Sequence, residues 1–563
     1  MLVCVLVSEN LFTIFNESVL RKINYIKTIF LPAFLLIAGI VHAQQIPLNQ
    51  MVQNRLEQLL LNADSSVFTG FRSQNWLELE QLNIIHKSSV QDSVFGSSNV
   101  LKGNATNNNF IRGIGTNSVF TLDPYVDASI GKSNEKNGVL TDFSAGINMQ
   151  GVFNKKFSFN LGVTTNVNQY PKYLDSIILS KYNRLNPSSN KYIIPGENAA
   201  KLNNNNRFAY TNFNFNLTYT PSKYFLIAAG YGKNFLGDGY RSLLLSDNSN
   251  NYPYLRLQAR IWKLTYNVLY NRYTNNFWYK VGGNAQPKYS TIHYLGFNTK
   301  KLQIGLFDEV TWLAKDTNFN RGFDLQYLNP LIFIRPLEFT IGSPDNALIG
   351  FNAKYKIYNK GFIYGQLALD DINLKLSSQQ HSQFYGNKYA LQLGIWNNDL
   401  FNVKDLSWRL EWNGVRPYTF GHGVGGNISL NYTNYYQSLT DPFGANFNEF
   451  ISMFNYTNGR FYGVLENVYT IRGENPGVLY NNGEDLWGGE LGIPQFGVKT
   501  MQGIKTKYSY NQLTAGYLIN TANRLGVEVN AAYRSRKSAV VNESEFYFSF
   551  GVKTSLYNLY HDF

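Results

Sequence analysis

From about Val119 onward, apolar and polar residues alternate along the chain with a period of two. In "FSFNLGVT", Phe157, Phe159, Leu161 and Val163 fall on one face and Ser158, Asn160 and Thr164 on the other. "FNFNLTYT" repeats this with Phe213, Phe215, Leu217 and Tyr219 against Asn214, Asn216 and Thr218, and "VEVNAAYR" with Val527 and Val529. Such alternation predicts strands with one greasy and one wet face. Segments of this kind fall near 119–131, 139–153, 157–167, 208–219, 224–232, 254–261, 263–273, 289–298 and 302–312. More follow near 347–357, 361–369, 387–397, 405–420, 446–456, 460–471, 504–519, 525–535 and 544–553. The stretch "ISLNYTNYY" (428–436) also alternates, but counting it breaks an even strand number.

Ahead of this region the period changes. Leu48, Met51, Val52, Leu56, Leu59 and Leu60 share one face of a predicted helix, and a second short helix is expected around Trp76, Leu77, Leu82 and Ile85.

The connections decide between a sandwich and a barrel. Tight turns at 154–156, 221–223, 299–301, 359–361, 458–459 and 522–524 alternate with long loops near 168–207, 233–253, 313–346, 421–445 and 472–503. An outer-membrane barrel has this rhythm, with short periplasmic turns and long outside loops. The predicted fold is all-β: a transmembrane, antiparallel, up-and-down β-barrel of about 18 strands with both ends periplasmic, preceded by short N-terminal periplasmic α-helices. Residues 119–563 form the barrel and 44–118 the helical or irregular segment before it.

Composition agrees. The 563 residues include 40 Tyr and 40 Phe, charged residues are only 15%, and mean hydropathy is −0.26. No run after the first residues approaches the length of a membrane-spanning helix. Residues 1–43 read as a leader. Lys22 and Lys27 precede a run of roughly 14 apolar residues, too short to span a membrane. Val41-His42-Ala43 then marks signal-peptide cleavage after Ala43. The only cysteine, Cys4, lies before the cut, so the expected mature chain has no disulfide, cysteine ligand or cysteine nucleophile.

Catalytic patterns are scarce. No two histidines stand at helical metal spacing, and no phosphate loop or G-x-S-x-G elbow occurs. "GHGVGG" at 421–426 is followed by no helix signal, and "NNGEDLWGG" lacks the spaced carboxylates of a calcium loop. No cofactor or metal is expected. A hydrolase would need a serine or carboxylate beside His293, His381 or His422. The formal charge of +13 suits an acidic polysaccharide or the anionic face of lipopolysaccharide; the export signal argues against nucleic acid.

Four stretches break the strand pattern: "FLGDGYRSLLLSDNSNNYPYL" (235–255), "NPLIFIRPLEFTIGSPDNALIG" (329–350), "RPYTFGHG" (416–423) and "SLTDPFGANFNEF" (438–450). An 18-stranded interior is an open channel unless filled, and long loops of defined apolar, Gly and Pro content fold over or into a barrel. The candidate residues are therefore Asp238, Tyr240, Arg241, Asp247, Arg335, Glu338, Asp345, Arg416, Tyr418, Asp441 and Glu449. They serve either as a luminal plug or as a glycan site, where tyrosines stack on sugar rings and carboxylates take hydroxyl protons. A general porin, or a structural part of an envelope secretion or motility machine, is the alternative. "EFYFSFGVKT", with Phe563 at the end, suits the signal read by barrel-insertion machinery.

Those four stretches resemble the RemB family of gliding-motility proteins and, more distantly, the capsule-assembly Wzi family. The resemblance covers most of the mature chain. It implies a surface barrel with an N-terminal helical bundle, binding capsular polysaccharide without catalysis, in capsule assembly or gliding. Family members tend to carry Ala-His-Pro where this chain has Thr440-Asp441-Pro442, which exchanges a donor for a negative charge.

Overall fold

A computed structural model describes residues 48–62, 70–72, 109–114, 118–180, 190–275, 285–315, 320, 322–330, 345–358, 360–373, 383–424, 428–477, 481–487, 496–554 and 558–563. Eighteen antiparallel strands make the wall. They are β1 (Ser118–Ser133), β2 (Leu140–Phe153), β3 (Phe157–Asn168), β4 (Phe208–Ser222), β5 (Phe225–Gly232) and β6 (Tyr252–Ile261). Next come β7 (Leu264–Asn275), β8 (Gln286–Asn298), β9 (Leu302–Leu313), β10 (Asn346–Ile357), β11 (Gly361–Asp371) and β12 (Lys388–Asn397). The circuit ends with β13 (Leu406–Val415), β14 (Phe447–Asn458), β15 (Phe461–Glu474), β16 (Ile504–Asn520), β17 (Leu525–Lys537) and β18 (Asn542–Thr554). Each pairs with its sequence neighbour, and β1 meets β18 from Ala128↔Val552 to Ser133↔Tyr547, which closes the cylinder. Closure removes the unpaired edges that lipid cannot satisfy. Among the described residues no helix is long and apolar enough to cross a membrane, so the strands do the crossing.

Every strand expected from the alternation is present, and 428–436 is not one of them. That stretch lies in a loop, where Thr433–Asn434 pairs with Gln437–Ser438 as a minimal hairpin. The pleat sends Phe213 and Leu217 outward, where they are exposed, and turns Asn216 and Thr218 inward, where they are buried. Trp262, Tyr358 and Phe401 are exposed at the short turns, as an aromatic girdle requires.

Four parts of the chain enter the barrel among the described residues. Helix α1 (Gln50–Asn62) sits at the short-turn end, with Leu61 packed beside Phe362, Tyr364 and Trp396 and Asn54 bonded to Trp396 and Ser407. The loop between β5 and β6 and the loop between β13 and β14 fold in from the opposite end. Leu243, Leu244 and Leu245 lie in one buried cluster with Phe420, Tyr432, Leu439 and Phe443. The C-terminal residues 558–563 run back inside: Phe563 packs on Phe443, and Asn558 accepts from the Gln50 amide. The terminal aromatic, expected as part of an insertion signal, packs in the interior. Helix α2 (Lys172–Ile178) reaches the same region through Tyr173, whose hydroxyl donates to the His561 carbonyl at 2.8 Å.

The loop after β9 behaves differently. Its described turn, Leu325–Leu328, packs on the outside of the wall. Tyr327 lies against outward-facing Trp312 at 4.6 Å, and the Tyr270 hydroxyl donates to the Leu328 carbonyl. The expected helix near Trp76–Ile85, the signal segment and the cleavage site at Ala43 lie outside the described residues.

Candidate functional site: a charged cluster inside the barrel

Arg241 is the centre of the interior. It is fully buried, and its guanidinium lies 2.8 Å from Asp562, 3.2 Å from Glu449 and 3.6 Å from Asp441. The rings of Tyr240 and Tyr560 flank it at 4.8 and 5.2 Å. Its own backbone N–H and that of Tyr240 donate to the two oxygens of Glu411 at 3.0 and 2.7 Å. Gly239 is required there: a Cβ at that position would stand 2.4 Å from the same Glu411 carboxylate. The Asp238-Gly239 dipeptide therefore turns the chain so that Arg241 can face three acids.

A second tier lies toward α1. Asp238 accepts from Lys354 Nζ at 2.9 Å, and its carbonyl accepts from both Arg72 and Arg409 at 2.6 Å. Glu57 of α1 binds Arg72 and Arg409 at 2.9 and 2.8 Å. The Tyr240 hydroxyl donates to Glu466 and Asp562. Asp247 accepts from the Tyr560 hydroxyl at 2.7 Å. A buried ion must be paired and hydrogen-bonded to be tolerated, and here wall, loop, helix and tail supply one another's partners. Even so, burial first and then the Glu449 carboxylate push the Asp441 carboxyl well above the usual carboxylate range, against the pull of Arg241. Burial likewise raises Asp247, with Lys233 opposing.

Of the sequence candidates, Asp238, Tyr240, Arg241, Asp247, Asp441 and Glu449 meet in this interior. Tyr418 is near the loop end, donating to the Asn481 carbonyl and accepting from Gln502. Arg416 lies over the ring of Tyr389, which faces outward. Asp345 is on the outer wall, accepting from the Tyr327 hydroxyl at 2.6 Å. These three do not join the Arg241 cluster. Arg335 and Glu338 lie outside the described residues. Sequence reasoning missed Glu57, Arg72, Arg409, Glu411, Glu466, Tyr560 and Asp562. For Arg409 and Glu411 a signal existed, because charges at alternate positions of an otherwise amphipathic strand must point inward.

The histidine alternatives were also placed. His293 faces outward from β8, fully buried. Its Nδ1 is 2.6 Å from the Tyr266 hydroxyl, and Asp308 is its cross-strand neighbour. The carboxylate that a hydrolase would need thus stands beside His293, on the outward face of the wall and away from the Arg241 cluster. The His422 backbone N–H donates to Asn431, and His381 lies outside the described residues. No group of three or more potential metal ligands occurs among the described residues.

No protein-family model and no curated protein matches the chain, so the RemB resemblance rests on its motifs alone. Among solved structures, the chain is similar to Wzi, an outer-membrane protein involved in group 1 capsule assembly in Escherichia coli, described as a carbohydrate-binding β-barrel. Identity is 13%, the match covers 92% of this chain and 100% of that one, and the TM-score is 0.55. The Pseudomonas aeruginosa outer-membrane protein OprD also matches, at 10% identity over 78% of this chain and 96% of that one, with a TM-score of 0.39. Acinetobacter baumannii OccAB2 matches at 10% identity over 77% and 97%, with a TM-score of 0.38. The Wzi likeness places the fold among outer-membrane β-barrels.

Proposed function

We propose that the protein is a non-catalytic outer-membrane barrel that holds surface polysaccharide at its loop end, in capsule assembly or in gliding motility. The observation that carries this reading is the Arg241 cluster. An arginine enclosed by Asp441, Glu449 and Asp562 and packed against the rings of Tyr240 and Tyr560 ties two loops and the C-terminal residues to the wall. A lumen filled in this way serves as scaffold rather than passage, and leaves the long loops as the part available for recognition. The Wzi fold and that protein's carbohydrate binding support the reading. The formal charge of +13 favours an acidic polysaccharide. Lipopolysaccharide is its expected neighbour in the membrane, and barrel-insertion machinery its expected partner in assembly.

The test is retention of the purified full-length protein on an array of acidic and neutral polysaccharides. Retention on acidic glycans that weakens as salt is raised supports the proposal. Absence of retention on any glycan, with envelope proteins co-purifying instead, replaces it with a structural role in an envelope machine.

A further inference from the structure

Between β4 and β5 the barrel wall has a thin place. Strand β4 pairs with β5 only from Ser222↔Phe225 up to Phe215↔Tyr231, because β5 ends at Gly232. Further along β4, Lys201 and Leu202 pair with Ala209 and Phe208. Between these, residues 210–214 have no strand on that side among the described residues. Two side chains take the place of the ladder: the Asn198 carboxamide donates to the Thr211 carbonyl at 3.0 Å, and that of Asn251 to the Phe213 carbonyl at 2.8 Å.

A cavity of about 120 Å³ lies at this place. A single water needs roughly 10–15 Å³ on such a measure, so there is room for a sugar ring or several waters. Its inner side is lined by carboxamides, including Asn148, Gln150 and Asn160. Its outer side is lined by Phe213, Phe215 and Tyr231. Asn148 and Gln150 are 9% and 8% exposed and turned to the cavity. Neither carboxamide is hydrogen-bonded to a described residue. Both therefore present hydrogen-bonding groups to whatever occupies the cavity. Outside, the Phe213 and Tyr231 rings lie 6.0 Å apart on the lipid face.

The height of the opening is informative. Phe213 is nine residues above Ser222, the last residue of β4 at its short-turn end. At roughly 2.6 Å of height per residue in a strand tilted by about 40°, this is about 23 Å, against an apolar band about 25 Å tall. The opening thus stands at the outer-leaflet end of the band.

We propose that this opening is a side portal for an outer-leaflet glycolipid. The saccharide lies among the carboxamides of Asn148, Gln150 and Asn160, and the acyl chains lie against Phe213 and Tyr231. A carboxamide offers a donor and an acceptor side by side, which matches the vicinal hydroxyls of a sugar. Lys233, which also lines the cavity, donates to the Gly196 carbonyl and is faced by Asp247 and Glu197, so no uncompensated cation is offered. The saccharide is therefore held through its hydroxyls rather than through a negative charge. The site stands whether or not the outer loops bind polysaccharide.

Native mass spectrometry of the detergent-purified full-length protein tests this. The probes are purified lipopolysaccharide, digalactosyldiacylglycerol, free digalactose and, as control, phosphatidylethanolamine. Expected is retention of one or both glycolipids at least tenfold above phosphatidylethanolamine and free digalactose. Lipopolysaccharide alone, or the neutral glycolipid alone, identifies the source of the headgroup. The doubly substituted protein N148L/Q150L loses that preference tenfold while keeping its heat-modifiable gel mobility. Phe213→Ser, a single exposed side chain, weakens it at least threefold and decides the matter if the double variant does not fold. Free digalactose retained as well as the glycolipids overturns the portal. Neither glycolipid exceeding the control, or unchanged retention by Phe213→Ser, overturns it too.

Discussion

Arg241→Met removes the one cation at the centre of the interior and keeps most of its bulk. In the parent, the guanidinium stands 2.8 to 3.6 Å from three carboxylates, all essentially inaccessible to water. Breaking a buried ion pair by deleting one partner costs about 3–5 kcal/mol, because the other charge stays buried and uncompensated. Methionine restores packing but neither charge nor donors, so a loss at the upper end of that range is expected at pH 8. The loss must depend on pH. Asp441 is already held well above the usual carboxylate range by burial and by Glu449, and removing Arg241 raises it further. Asp441 then takes up its proton at a higher pH than in the parent, and a protonated carboxyl needs no counter-ion. The penalty should therefore shrink toward pH 5. Equilibrium urea unfolding, read by tryptophan fluorescence and by heat-modifiable gel mobility, gives the difference at each pH. The double substitution R241M/D562N leaves two carboxylates instead of three and should recover part of the loss, a coupling that a double-mutant cycle measures. A variant within about 0.5 kcal/mol of the parent at pH 8, the size of an ordinary surface substitution, would refute the reasoning. So would a penalty that does not change between pH 8 and pH 5.

Glu197, buried in the loop before β4, is raised by burial to about 8. Its unfolded value is near 4.3, so the folded chain holds a proton that the unfolded chain has released. Stability should fall as pH rises from about 4.3 to about 8 and level off above, and Glu197→Gln should flatten that slope in urea midpoints taken across the range. Gly239→Ala should cost about 1–3 kcal/mol by overpacking, since its Cβ would lie 2.4 Å from Glu411 and 2.7 Å from the Arg241 carbonyl; an unchanged urea midpoint contradicts this. Deleting residues 558–563 removes Asp562 from Arg241, Tyr560 from Asp247 and Phe563 from Phe443. The shortened protein should lose its heat-resistant gel form at a lower temperature than the full chain.

The wall was readable because lipid and lumen impose opposite demands on alternate residues. Phe213, Leu217 and Phe225 had to be apolar, and Asn216 and Thr218 had only to be polar. Turn length then gave the direction of each strand. The interior was readable in part. Asp238-Gly239 announced a turn and Arg241 demanded acids, but which acids depended on how loops fold through space. Glu411 was accessible to reasoning: in "SWRLEWNGV" it alternates with Arg409 and Asn413 on the face opposite Trp408 and Trp412. Asp562 was not, because a tail after the last strand carries no periodicity that says it turns back inside. Nor did anything in "FDLQYLNP" say that Tyr327 would pack on the outer wall, since an apolar loop fits the inside of a barrel as well as its outside.

Single-channel recording of the purified full-length protein in planar lipid bilayers tests the central claim most directly. A lumen filled by α1, two loops and the C-terminal residues, and pinned at Arg241, predicts no stepwise conductance at neutral pH. Large, stable conductance steps from the intact protein would contradict it.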